Sequence, residues 1–162
     1  QIKSAMAIHK IQIDDFDSAN YEVVAIHASI EDYRLAYFLN QTFGIQLSKC
    51  DHPIELKNKE GKSNFQLFVY DDELQDVCWS LIENQSVVSE ENEAVVGIFD
   101  AIETRSFLLP EVKKADFILK IENIDSQFNA VQLAQKISEI AFVTTAYPIE
   151  IENFKSKNNL IF

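Results

Sequence analysis

Glycine and proline are scarce, with three of each in 162 residues. A phosphate-cradling loop needs closely spaced glycines so that backbone amides can approach the anion. Gly44, Gly61 and Gly97 are scattered instead, which excludes P-loop and dinucleotide-binding turns. Turns must therefore rest on Asn, Asp and Ser, whose side chains bond their own backbone. Cysteine is limited to Cys50 and Cys78, with no CxxC pair, a pattern of reduced thiols rather than of a disulfide framework. Basic residues are few: 14 Lys and Arg stand against 26 Asp and Glu, for a net charge of -12. Nucleic acid and anionic membrane would be repelled by most of such a surface. No apolar run reaches the ~20 residues needed to span a bilayer, and no secretory leader is recognisable, so the expected location is the cytoplasm. The HExxH, GxSxG, kinase and EF-hand patterns are all missing, which counts against an enzyme.

What the chain has is apolar material, at 47% hydrophobic residues with 12 Phe, 5 Tyr and one Trp. That is enough to close a sizeable core without disulfides or metal. The opening "QIKSA" reads as a leader added ahead of a natural start at Met6, leaving 6–162 as a single domain. Branched and alternating residues predict strands at 8–13, 21–28, 45–50, 64–71, 76–84, 94–101, 115–122 and 142–151. Pro148 suits an edge strand or a bulge. Apolar residues at helical spacing predict one helix over 29–43, with Ser29 as N-cap and Gly44 as its left-handed close, and a second from 125 or 126 to 140. Glu31, Arg34, Asn40 and Gln41 would form the polar stripe of the first helix. In the strand at 115–122, Asp116, Ile118 and Lys120 would lie opposite an apolar row. The expected class is α+β, a largely antiparallel sheet of about six to eight strands with two main helices, an order that also admits two strand–helix–strand units.

Candidate chemistry is thin. Cys50 and His52 form a CxH pair that His9 and His27 could in principle complete, but zinc frameworks supply two tight ligand pairs and this chain offers one, so no metal or other cofactor is expected. In "IHASIEDYR", His27 ends a strand just before a helix start, where it could act as a base beside Glu31, with Glu111 and Asp116 as further carboxylates. Acidic residues at a helix start and a hydrogen-bonded strand-end histidine are also what ordinary structure prefers. The stretch "FLLPEVKKADFILKI" sets a proline and a cluster of charge between two apolar runs. It reads as a solvated turn, or as a basic site at Lys113 and Lys114 for an acidic partner.

Within that stretch, "LPEVKKADF" (109–117) resembles the signature of the IPExxxVDY family, a small bacterial family of unknown function. Pro110, Glu111 and Asp116 match; Leu109 stands for Ile, Ala115 for Val, and Phe117 for Tyr with the loss of a hydroxyl. "AIHASIEDYRLAYFLN" (25–40) and "KSKNNLIF" (155–162) also look like the family, and the similarity runs from Met6 to Phe162. The resemblance carries across no activity, cofactor or catalytic residue. Family members encoded near genes for fatty-acid synthesis, ribonuclease III and pyruvate kinase imply acyl carrier protein as a partner. That carrier is itself acidic, so contact would need a local basic patch, for which Lys113, Lys114, Lys155 and Lys157 are the candidates. The segment "NNLIF" would either dock on the domain or be presented to a partner. The expected function is therefore a non-enzymatic protein-interaction or regulatory module. The alternative is a small-molecule sensor or enzyme using His27 and nearby carboxylates.

Overall fold

A computed structural model describes residues 20–89 and 104–162. The expected strands at 8–13 and 94–101 and the donor His9 lie outside the described residues. The architecture is α+β, with two helices and two antiparallel sheets among the described residues. Strand β1 (Tyr21–Ala28) leads into α1 (Asp32–Phe43). There follow β2 (Ser48–Lys49), β3 (Ile54–Asn58), β4 (Gly61–Phe65), β5 (Leu67–Asp72), β6 (Val77–Glu83), β7 (Gln85–Ser89) and β8 (Arg105–Phe107). A 3-10 turn at Pro110–Val112 precedes β9 (Phe117–Glu122), α2 (Ala130–Ser138) and β10 (Val143–Ile149). The larger sheet runs β10-β1-β9-β6-β5-β2 and the smaller β3-β4-β7-β8. Pro148 lies in β10, the edge where a missing N–H costs no ladder bond. Neither strand–helix–strand unit pairs its own strands: α2 carries the chain over β1, which separates β9 from β10.

Several elements differ from the sequence expectation for local reasons. The run 64–71 is two strands, broken at Gln66 where the chain passes from the smaller sheet to the larger. Asn84 makes the reverse passage between β6 and β7, so β7 was hidden behind the end of an apparent single strand. The polar stretch "KNKEGKS", by contrast, is the hairpin connection its composition suggests, joining β3 to β4. Asn58 Oδ1 accepts from the amides of Glu60 (2.9 Å) and Gly61 (3.1 Å), and a Cβ on Gly61 would sit 2.5 Å from Ser89 O, so the turn admits only glycine.

Helix α1 closes at Gly44 (φ 65) as expected, but it begins at Asp32, with no side-chain cap on the flanking Glu31. Ser29 is not the cap; its amide donates to Phe142 O (3.1 Å) and ties the helix entry to β10. Asn40 is no surface residue either. It accepts from Leu47 N (2.8 Å) and donates to Leu47 O (3.1 Å), folding the chain back under the helix. Helix α2 starts later than expected because Asp125 takes the Gln127 amide in a turn (2.9 Å), leaving Asn129 to cap through Gln132 N (3.0 Å).

Both helices cover one face of the larger sheet, where Leu35, Leu39, Leu133 and Ile137 pack on Val24, Ile26, Leu81, Leu119 and Ile121. The other face packs Val23, Ala25, Ile82 and Ile118 against Ile54 and Phe65 of the smaller sheet, Leu108, Leu109 and Ala115 of the charged turn, and Ile151 and Leu160 near the C-terminus. Each such large apolar side chain contributes about 1.5–3 kcal/mol by leaving water. Strand β9 is thus covered on both sides, and the expectation of a one-sided strand is corrected: Ile118 and Lys120 are buried as fully as Phe117 and Leu119.

Candidate functional site

The charged turn after β8 is built around a residue far from it in sequence. Fully buried Asn84 donates through Nδ2 to Val112 O and Ala115 O (3.0 Å each) and accepts at Oδ1 from Leu109 N (2.9 Å). Its backbone adds Leu108 N→Asn84 O (2.9 Å) and Asn84 N→Asp116 O (3.0 Å). One side chain thus satisfies three backbone groups of an irregular segment that lacks a ladder of its own. With Leu108, Leu109 and Ala115 buried beneath it, the turn holds Lys113 and Lys114 out into solvent.

Glu111 then joins this turn to the C-terminal segment. Its carboxylate accepts from Ser156 N (3.1 Å) and from the Ser156 hydroxyl, while Asn159 Nδ2 donates to Leu108 O (2.8 Å). Burial opposes its ionisation, but the Ser156 hydroxyl and the amides of Ser156 and Lys155 outweigh that and hold the carboxyl below the ordinary glutamate range. The staple brings the exposed pair Lys155 and Lys157 onto the segment adjoining Lys113 and Lys114. None of these four lysines forms an ion pair among the described residues. The terminal stretch is both docked and presented: Leu160 is fully buried, whereas Ile161 and Phe162 are 71% and 51% exposed.

The His27 constellation does not assemble. His27 Nε2 is 2.9 Å from Tyr147 OH, with the rings 5.5 Å apart. Asp116 Oδ2 accepts from Ala28 N (2.8 Å), where the register of β1 against β10 shifts between His27 and Ala28. It patches an irregular ladder. Glu31 pairs with Arg34 (3.3 Å), whose guanidinium lies 5.2 Å from the Phe142 ring. Glu111 is committed to Ser156. No hydrogen bond or ion pair links His27 to any of these carboxylates among the described residues, nor do three or more His, Cys, Asp or Glu side chains gather there with metal-ligand geometry.

Two groups escaped the sequence reading. Glu83, half-buried at the end of β6, lies beside Asp32 at the start of α1. Burial, then the Asp32 charge, raises its pKa. Lys120 lies mid-strand in β9 at 4% exposure, opposite Val23 and the buried Ser80. Its ammonium donates to Leu160 O (2.7 Å), pairs with Glu122 (2.9 Å) and sits 5.1 Å and 4.8 Å from the ring centroids of Tyr21 and Phe162. The sequence signal was slight, a lone lysine inside "FILKI" on the same strand face as the apolar Ile118.

Beside this lysine a half-open cleft of about 1000 Å³ runs between the start of α2, the ends of β1 and β10, and the C-terminal segment. Val23, Phe128, Ile149 and Ile161 line it, with Glu22, Glu150, Glu152 and Lys157 among its polar groups. No helix among the described residues is long and apolar enough to cross a membrane. No family model matches the chain, and no curated protein matches it.

Proposed function

We propose that this chain is a non-enzymatic interaction module of the bacterial cytoplasm, related to the IPExxxVDY proteins, that binds an acidic protein through Lys113, Lys114, Lys155 and Lys157. The observation that carries the reading is the junction of two segments, stapled through Glu111 and Ser156, that gathers four lysines without ion pairs among the described residues on a chain of net charge -12. Exposed Ile161 and Phe162 lie on the same segment, beyond the buried Leu160, and would supply apolar contact to the partner. Charge of one sign on a background of the other steers an oppositely charged partner and fixes its orientation.

Acyl carrier protein is the acidic partner to test first, by titration against wild type, Lys113→Glu/Lys114→Glu and the control Lys59→Glu on the β3–β4 turn. The expected result is binding that the double reversal weakens roughly tenfold or more, that the control leaves within about twofold, and that fades as salt shortens the screening length below about 10 Å. Equal losses in the control and the double variant would remove the surface assigned here.

A second reading, a small-molecule sensor, draws on the cleft rather than on His27, because its volume falls within the roughly 300–1,000 Å³ of ordinary ligand sites. A metabolite that raises the melting temperature of the wild type but not of Val131→Trp, which would fill the cleft wall, would favour it.

A further inference from the structure

We infer that Lys120 is a positioning residue: its buried ammonium latches segment 154–162 in the register that sets Lys155 and Lys157 beside Lys113 and Lys114. This rests on the reading of those lysines as a binding face. The latch itself rests on geometry alone. A buried ammonium must find acceptors for its donors, because leaving them unmet in the interior costs more than the bonds return in water. Of the four groups that meet Lys120, two come from the terminal segment, Leu160 O at 2.7 Å and the Phe162 ring at 4.8 Å, and two from the sheet, Glu122 at 2.9 Å and the Tyr21 ring at 5.1 Å. The charge is therefore complete only when the segment is down.

An apolar residue at this position would hold the segment by buried area, which tolerates sliding. An ammonium demands one carbonyl at one place, the way a buried polar group fixes register in other packed elements. Register is what the lysine face needs. Leu160 enters the apolar layer with Ile151 and Leu109, and Asn159 reaches Leu108 O. A slip of one residue would withdraw both and carry Ser156 away from Glu111 and the two tail lysines away from the turn. The two ends of the segment are thus fixed by opposite charges: Glu111 receives Ser156 at one end, and Lys120 donates to Leu160 at the other.

The experiment is hydrogen exchange on Lys120→Met, which keeps an apolar stem of similar reach, with Ile137→Val on the buried face of α2 as a control that loosens the core elsewhere. The amides of Asn159 and Ile161, which donate to Ser156 O and Asn158 O, should exchange roughly tenfold or more faster in Lys120→Met. Their rates relative to amides of β9 should not change in the control. Phe162→Ala, at an exposed position, folds without repacking and should give a smaller acceleration, about threefold. Unchanged exchange in both Lys120→Met and Phe162→Ala overturns the latch.

Binding is read with a polyglutamate peptide. Lys120→Met should weaken it about as much as Lys155→Ala/Lys157→Ala, and the combined variant should be no weaker than the latter. Full additivity, or faster exchange with unaltered affinity, overturns the positioning role. A wild type that fails to bind polyglutamate removes the face while the exchange result still decides the latch.

Discussion

Among the described residues, the helical face of the larger sheet buries only apolar side chains, whereas the opposite side of the molecule buries Ser80, Lys120 and Asn84. The difference follows from what covers each face. A helix satisfies its own backbone, so α1 and α2 ask nothing of the sheet but a surface to pack on. The segments at 108–116 and 151–162 have no ladder of their own, so the backbone groups that their short turns leave open must be met by side chains reaching over from the sheet. Asn84 meets three such groups and Lys120 a fourth. The polar-anchored side is also where the two lysine pairs are displayed.

The comparison is broken most directly at Asn84. Asn84→Leu keeps the volume but leaves Leu109 N–H and Ala115 O without partners and Val112 O with the Ala115 amide alone, at an expected cost of about 4 kcal/mol and a fall of about 10 °C in melting temperature. On the helical face, Leu119→Ala should cost about 3 kcal/mol through lost burial and the cavity left behind. Urea unfolding followed by the fluorescence of Trp79, which packs against Phe43 at 5.6 Å, measures both. If the leucine truncation proves the more costly by a clear margin, the anchored face does not depend on its polar side chains as argued.

How much of this was legible in the sequence tracks the same divide. Strand β1 coincides with the expected 21–28, Gly44 closes α1, and Leu133, Ala134 and Ile137 make the buried stripe of α2, because periodicity and local turn chemistry decide those features within a few residues. The charged turn was visible as a turn, but its anchor was not: Asn84 lies 25 to 31 residues away and nothing local distinguishes it from any strand-ending asparagine. Lys120 was misread because alternation assigns a lysine to the wet face, and only the tertiary path of the tail makes that face dry. The four lysines were picked out by their sign on an acidic chain; their gathering on adjoining segments depends on the Glu111–Ser156 contact, which no spacing encodes. His27, Glu31 and Asp116 are near in sequence or fold, yet each is held by a different partner.

Glu83 sharpens the comparison, since it is the half-buried carboxylate at the rim of the otherwise apolar helical face. Burial first, and then the neighbouring Asp32 carboxylate, makes the folded protein hold the Glu83 proton more tightly than the unfolded chain does. The folded pKa is therefore the higher of the two, so stability from this group is fully present below the unfolded value of about 4.3 and is lost as pH rises from there through the folded value. At neutral pH the ionised carboxylate is a standing cost. Glu83→Gln should accordingly raise the urea midpoint at pH 7 and leave it unchanged near about pH 3.5, where the wild-type carboxyl is already neutral in both states. In an Asp32→Asn background the neutral-pH gain should shrink, because the charge that opposes ionisation is gone. A gain of equal size at both pH values would mean that shape rather than charge sets the effect. The helical face would then have no electrostatic weak point to contrast with the anchored one.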